Sequence, residues 1–243
     1  MSTYTGTAAL TRLALRRDRV LIGSWAVVVA LTVVGTAKSF TSLYDTQAER
    51  DDLARDMNDN ASLRAFYGPM FNWDNGGAIT AWRFTVLCAT LVGLMAVMIV
   101  VRHSRDEEET GRQELLSAGA IGRRAPLAAA LLTACAASVI VAVPSALGLA
   151  GYGGSAMSAF AFGGCVAAGG VVFAGIAALA AQLTETGRAA RGIAGAVLGA
   201  AFLLRAAGDA ASEDADSPLV WISPLGWIEN VRPYADNRIW LLL

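Results

Sequence analysis

The residue types from which hydrolytic or metal chemistry is built are scarce in this chain. It has one histidine, His103, and three cysteines, Cys88, Cys135 and Cys165, each inside an apolar run. With no cluster of Cys or His, metal-assisted hydrolysis and Ser-His catalysis lack their parts. The cysteines read as small hydrophobes in helix packing. Phosphate chemistry fares no better. A P-loop needs Gly immediately before Lys and Ser or Thr after it, whereas the one lysine sits in Gly35, Thr36, Ala37, Lys38, Ser39. The sequence therefore predicts no catalytic residue, no metal site and no cofactor held by this chain.

The reactive groups that do gather are carboxylates and arginines. The stretch runs Arg102, His103, Ser104, Arg105, then Asp106, Glu107, Glu108, Glu109, then Thr110, Gly111, Arg112, Gln113, Glu114, Leu115, Leu116, and closes through Gly119, Ile121, Gly122, Arg123 and Arg124. Gly111 breaks the pattern. The acids suit the first turn of a helix, where they meet the positive end of its dipole, and Leu115, Leu116 and Ile121 give it an apolar edge. Such a helix lies along a membrane surface. Its chemistry is docking, with charges to set register and leucines to anchor.

The elements that must position this stretch are long and apolar. Residues 125–184 carry no charged side chain. That is enough for two helices, each crossing a hydrocarbon core of about 30 Å with roughly 20 residues. Gly151, Tyr152, Gly153, Gly154 and Ser155 mark the connection between them. Five spans are predicted, at about 20–37, 81–101, 126–149, 157–183 and 192–208, and Ile239, Trp240, Leu241, Leu242 and Leu243 read as the opening of a sixth. The fold class is all-α, a polytopic helical membrane protein in which 1–243 forms one transmembrane domain. Composition agrees: 55% hydrophobic and 16% charged residues leave too few charges to cover a soluble domain. A net charge of -1 gives no overall basic field, which argues against nucleic acid as a partner. Arg12, Arg16, Arg17 and Arg19 before the first apolar run imitate a signal peptide. The run is longer than a typical signal core and further spans follow it, so it reads as a retained first helix.

Because spans alternate, 1–19, 102–125 and 184–191 share one face and 39–80, 150–156 and 209–238 share the other. The first face holds eleven arginines in three short segments. The positive-inside rule then puts the N-terminus and the 102–125 segment in the cytoplasm. The exterior segment 39–80 is long for a connection and is expected to hold an exposed helix over 45–64, stopped by Gly68 and Pro69. Phe66, Tyr67, Phe71 and Trp73 are expected to anchor it at the interface. Arg205, near the end of the fifth span, is expected to reach the headgroups. Pro218 and Pro224 argue against a long helix in 209–238.

An acidic cluster, then Thr and Gly, then Glu, Leu, Leu, placed between the second and third spans, resembles the coupling segment of type 2 ATP-binding-cassette (ABC) exporter permeases. Within that class the chain is similar to exporters of polyketide and other antibiotics. Asn60, Ala61, Ser62, Leu63, Arg64, Ala65, Phe66, Tyr67, Gly68, Pro69 resembles their exterior loop. Thr80, Ala81 and Trp82 at the second span, and Ser223, Pro224, Leu225, Gly226, Trp227 with Arg232 and Pro233, are similar too. Family members are about twice as long, with two six-span halves, and the resemblance is to one half, the N-terminal half.

The resemblance implies a permease subunit in a bacterial plasma membrane, without an ATPase site of its own, that exports hydrophobic or amphipathic small molecules such as antibiotics and drugs. It implies an ABC ATP-binding subunit as partner, in two copies and carrying the ATP and Mg, and a second permease half or chain within membrane lipid. The candidate coupling residues are Glu107, Glu108, Glu109, Gly111, Arg112, Glu114, Leu115 and Leu116, whose exchange for the opposite charge at Glu109 or Glu114 should weaken assembly without preventing insertion. A secondary transporter, or a membrane scaffold that recruits a cytoplasmic partner, are the alternatives. Gradient-driven uptake without an ATPase would mark the first of these.

Overall fold

The structure, a computed structural model, describes residues 3–110, 121–212 and 214–242, and all regular structure among them is helical. In chain order the helices are α1 (Thr7–Arg17), α2 (Arg19–Leu43), α3 (Gln47–Asp59), α4 (Ala61–Tyr67), α5 (Gly76–Arg102), α6 (Arg105–Glu109), α7 (Ala125–Leu149), α8 (Ala156–Leu183), α9 (Gly187–Ala211), α10 (Pro218–Ile222) and α11 (Pro224–Asn230). Five of these, α2, α5, α7, α8 and α9, are long and apolar enough to cross a bilayer. The chain is a multi-pass membrane protein.

The bundle is organised around α5. Its length is mostly buried, against α2, α7, α8 and α9, whereas α2 and α9 keep most of their apolar surface facing outward. Lipid supplies no hydrophobic drive between helices, so contact rests on how closely backbones can approach. The α5–α8 contact shows this at Gly169, where an added Cβ would lie 2.5 Å from the Ala89 carbonyl oxygen. Gly170 similarly leaves room for the Ser138 hydroxyl of α7. Around this seam Phe162, Phe173, Met95, Val92 and Ile99 are fully buried.

α1 is separate from α2. The chain breaks at Asp18, and α1 lies against the first half of α7. α7 and α8 form a hairpin closed by a short 3-10 turn at Ala150–Tyr152 and by Gly153 and Gly154, both at positive φ. α6 sits at the same end of the bundle as the start of α2, α7 and α9; α3 and α4 sit at the other.

At the α4 end the segment expected as one helix is two. Asn60 accepts from the backbone N–H of Ser62 and Leu63, which starts α4 and stops α3. Thr46 and Glu49 form a reciprocal capping box on α3. Gly68, at φ 83, ends α4. The aromatic residues after it turn inward. The guanidinium of Arg83 stacks on Tyr67, that of Arg232 stacks 3.8 Å from the centre of Phe71, and Trp73 donates to Asp51 at 2.8 Å. Protein groups hold Tyr67, Phe71 and Trp73, while Phe66 keeps 54% of its surface exposed. Pro218 and Pro224 each occupy the first turn of a short helix, and α11 is buried against α5 and α8. Residues Ile239–Leu242 form a 3-10 turn against α8.

Candidate functional site

α5 projects past its apolar stretch and ends at Arg102, with His103 as its cap. The chain turns at Ser104, whose hydroxyl donates back to the Val100 carbonyl at 2.6 Å. Asp106, Glu107 and Glu108 then fill the first turn of α6, where acids favour the helix dipole. What the sequence left open is where these carboxylates point, and each points at another part of the same chain.

Asp106 takes the Arg191 guanidinium of α9 with both oxygens, at 3.0 and 2.8 Å. Glu107 takes Arg17, the last residue of α1, at 2.6 Å. Glu108 pairs with Arg105, which also donates to the Ala181 carbonyl near the end of α8. Glu109 accepts the backbone N–H of Gly187, the first residue of α9. That contact uses an orphan donor at a positive helix end. A Cβ at Gly187 would overlap the Asp106 carboxylate as it stands, so a larger residue there would displace that side chain. Asp106 and Glu109 thus tie this short helix to α9, Glu107 ties it to α1, and Arg105, paired with Glu108, ties it to α8.

Beneath them lies a buried centre. Asp18, at the break between α1 and α2, is 1% exposed. One of its oxygens meets Arg102 at 2.9 Å and the other His103 at 2.6 Å. The other ring nitrogen of His103 is 4.0 Å from Glu107. A buried carboxylate is costly unless paired, and the Arg102 guanidinium and the hydrogen bond with the His103 ring at the end of α5 offset that cost. The buried centre and the surface pairs share Glu107, so α1, the start of α2, the end of α5 and α6 form one connected network.

A second charged cluster occupies the α4 end. Arg205 is fully buried, not at the headgroups where the sequence reading puts it. It lies 3.1 Å from Asp209 and 3.3 Å from Glu229 of α11, and donates to the carbonyls of Ala65 and Phe66 at 2.9 and 3.0 Å. Its guanidinium also rests on Phe202. Arg64 adds hydrogen bonds to the carbonyls of Asp209 and Ala210. Burial pushes the Glu229 carboxyl above its ordinary range, against the pull of Arg205. Gly68 allows this approach, since a Cβ there would collide with Glu229.

Of the eight residues read from the sequence as the coupling site, Glu107, Glu108 and Glu109 are brought together on α6; Gly111, Arg112, Glu114, Leu115 and Leu116 lie outside the described residues. The sequence reading missed Asp18 and His103, and also Asp209 and Glu229. Arg205 and Asp209 are four apart in an apolar helix, a spacing that could have marked them as a pair. Nothing in the spacing points to Asp18 or Glu229. Among the described residues no three His, Cys, Asp or Glu side chains converge to hold a metal ion.

Residues 9–242 match the family model described as multidrug efflux system permease Rv1217c, C-terminal domain. That description names a C-terminal domain, where the resemblance read from the sequence is to an N-terminal half. The chain is 41% identical over 243 residues to the multidrug efflux system permease protein Rv1217c of Mycobacterium tuberculosis (strain ATCC 25618 / H37Rv). The alignment covers 100% of this chain and 43% of that relative, so the chain spans less than half of the relative's length.

Proposed function

The chain belongs to the family of multidrug efflux system permeases, and from that premise we propose that it is the membrane-spanning part of an ABC exporter. It moves hydrophobic or amphipathic small molecules, antibiotics and drugs among them, out of the cell. A separate ATP-binding subunit, in two copies, supplies ATP and Mg, and a second permease half or chain completes the path. The α6 end faces the cytoplasm, as its arginines favour.

The observation that carries this reading is the attachment of α6. A docking segment can transmit motion only if it is held to the helices it must move, and the two conformations must differ in their contacts with the driver. The bonds from Asp106 and Glu109 to α9, from Glu107 to α1, and from Arg105, itself paired with Glu108, to α8 supply that hold. They support a division of labour within the segment. Glu107, Glu108 and Glu109 set its position, and Gly111, Arg112, Glu114, Leu115 and Leu116 meet the nucleotide-binding subunit.

Co-expression with the candidate ATP-binding subunit, purification through one of the two, and measurement of vanadate-sensitive ATP hydrolysis test the reading. Co-purification with hydrolysis stimulated by hydrophobic antibiotics is expected. If the complex forms and hydrolyses ATP without drug stimulation or transport, the cargo assignment fails; if no ATP-binding subunit is retained, the permease reading fails.

One observation favours a second reading. Two carboxylates, Asp209 and Glu229, share buried Arg205, and such groups serve proton relays in secondary transporters. Uptake driven by a proton gradient in vesicles holding this chain alone would favour it.

A further inference from the structure

The arginines of the α6 end fall into two sets. Arg17, Arg102, Arg105 and Arg191 each face a carboxylate of this chain. Arg12, Arg16, Arg19, Arg123, Arg124 and Arg188 are exposed and have no carboxylate partner among the described residues, and of these Arg12, Arg16 and Arg19 lie together along α1 and the start of α2. Arg12 and Arg16 are four apart on one face of α1, and Arg19 follows directly after the break at Asp18. All three line one open groove of about 670 Å³ between α1 and α7, whose floor is apolar: Ala8, Leu15, Leu132 and Ala136. Leu132 belongs to a membrane-spanning helix and half of its surface is free. The groove therefore runs from exposed arginines onto the outward surface of a membrane-spanning helix.

From this geometry we propose that the groove is a binding site for an anionic phospholipid. The headgroup phosphate sits among Arg12, Arg16 and Arg19, and an acyl chain runs over Leu15, Leu132 and Ala136 and on along the exposed Val139 and Val143 of α7. Arginine suits the phosphate because its planar donors bind two oxygens at once. The apolar floor selects a lipid over a free phosphate. Bound there, the lipid pins α1 to α7 and so fixes Arg17, the partner of Glu107. The site stands on the groove alone and does not depend on the exporter reading.

The test uses the intact chain, purified in mild detergent with equal amounts of phosphatidylglycerol and phosphatidylcholine of the same acyl chains, and counts bound lipids by native mass spectrometry. Phosphatidylglycerol should be retained over phosphatidylcholine, with each arginine worth about five-fold. The triple variant Arg12→Gln, Arg16→Gln, Arg19→Gln should lose the preference. The matching triple lysine variant should keep much of it, and Arg123→Gln with Arg124→Gln, outside the groove, should leave it intact. Should the triple glutamine variant fail to insert, Arg16→Gln alone should lower the preference about five-fold. Soluble glycerol phosphate should not displace the lipid. Equal retention of the two lipids by the wild type, an unchanged preference in Arg16→Gln, or displacement by glycerol phosphate would each overturn the site.

Discussion

The two ends of the bundle use the same chemistry, arginine against carboxylate, at opposite depths. At the α4 end Arg205, Asp209 and Glu229 are buried, and the guanidinium is further held by two carbonyls and an aromatic face. At the α6 end Arg17–Glu107 and Arg191–Asp106 are partly exposed, with arginine side chains about two-fifths open. Burial decides what each set does. Removing one partner of a buried pair leaves an uncompensated charge and costs about 3–5 kcal/mol, whereas an exposed pair contributes roughly 0–1 kcal/mol. The α4 end is built as a lock. Pairs at the α6 end are weak one by one, and only their number holds α6 in place. Asp18 is the exception there, a buried carboxylate on which the surface pairs are mounted.

The contrast breaks most clearly at Arg205. Replacement by Met leaves two carboxylates facing each other without their shared cation, and thermal unfolding in detergent should show a loss of about 3–5 kcal/mol. A small effect would mean that the α4 end is not the lock described. Next in size is Asp18→Asn, which keeps the shape but leaves Arg102 and His103 without their anion. A loss of about 1–3 kcal/mol is expected, together with faster proteolysis near α1. An intermediate test sharpens the lock itself. Glu229 is protonated more readily in the folded protein than when unfolded, so its favourable contribution is complete below the ordinary value of 4.5 and declines as pH rises toward its elevated value. The stability of Glu229→Gln relative to wild type should therefore grow as pH rises from 4.5, read as a widening gap in unfolding temperature. A pH-independent difference would contradict the burial assigned to this carboxyl. The smallest stability effect is expected at Arg191→Gln, within about 1 kcal/mol, while drug-stimulated ATP hydrolysis falls several-fold. A large loss of stability with hydrolysis unchanged would reverse the roles of the two ends.

Much of the architecture was legible in the sequence because its cause is local. Residues 125–184 can be uncharged only in lipid or a large core, and the glycines between Ala150 and Ser155 divide them into a hairpin. The acidic run was legible as a place, through its position between two spans. Its partners were not, because Arg17 and Arg191 lie 90 and 85 positions away and pairing at that distance leaves no periodicity to read. Arg205 shows the same limit from the other side. Hydropathy places it near a helix end, where reaching the surface is the cheap solution, but α4 and α11 fold over it and bury it. Asn60 was readable as a cap by residue type, yet a charged stretch on both sides of it resembles one continuous helix until its side chain is seen on the Ser62 and Leu63 amides.

Under the proposed function, Glu107 positions α6 through its 2.6 Å pair with Arg17 and does not itself touch the ATP-binding subunit. A charge swap tests it most directly: drug-stimulated ATP hydrolysis by the assembled complex carrying Glu107→Arg, Arg17→Glu, or both. Each single variant should lose most of the stimulation and the double variant should recover most of it. Loss that persists in the double variant, with both subunits still co-purifying, would contradict the claim and make Glu107 a docking contact in its own right.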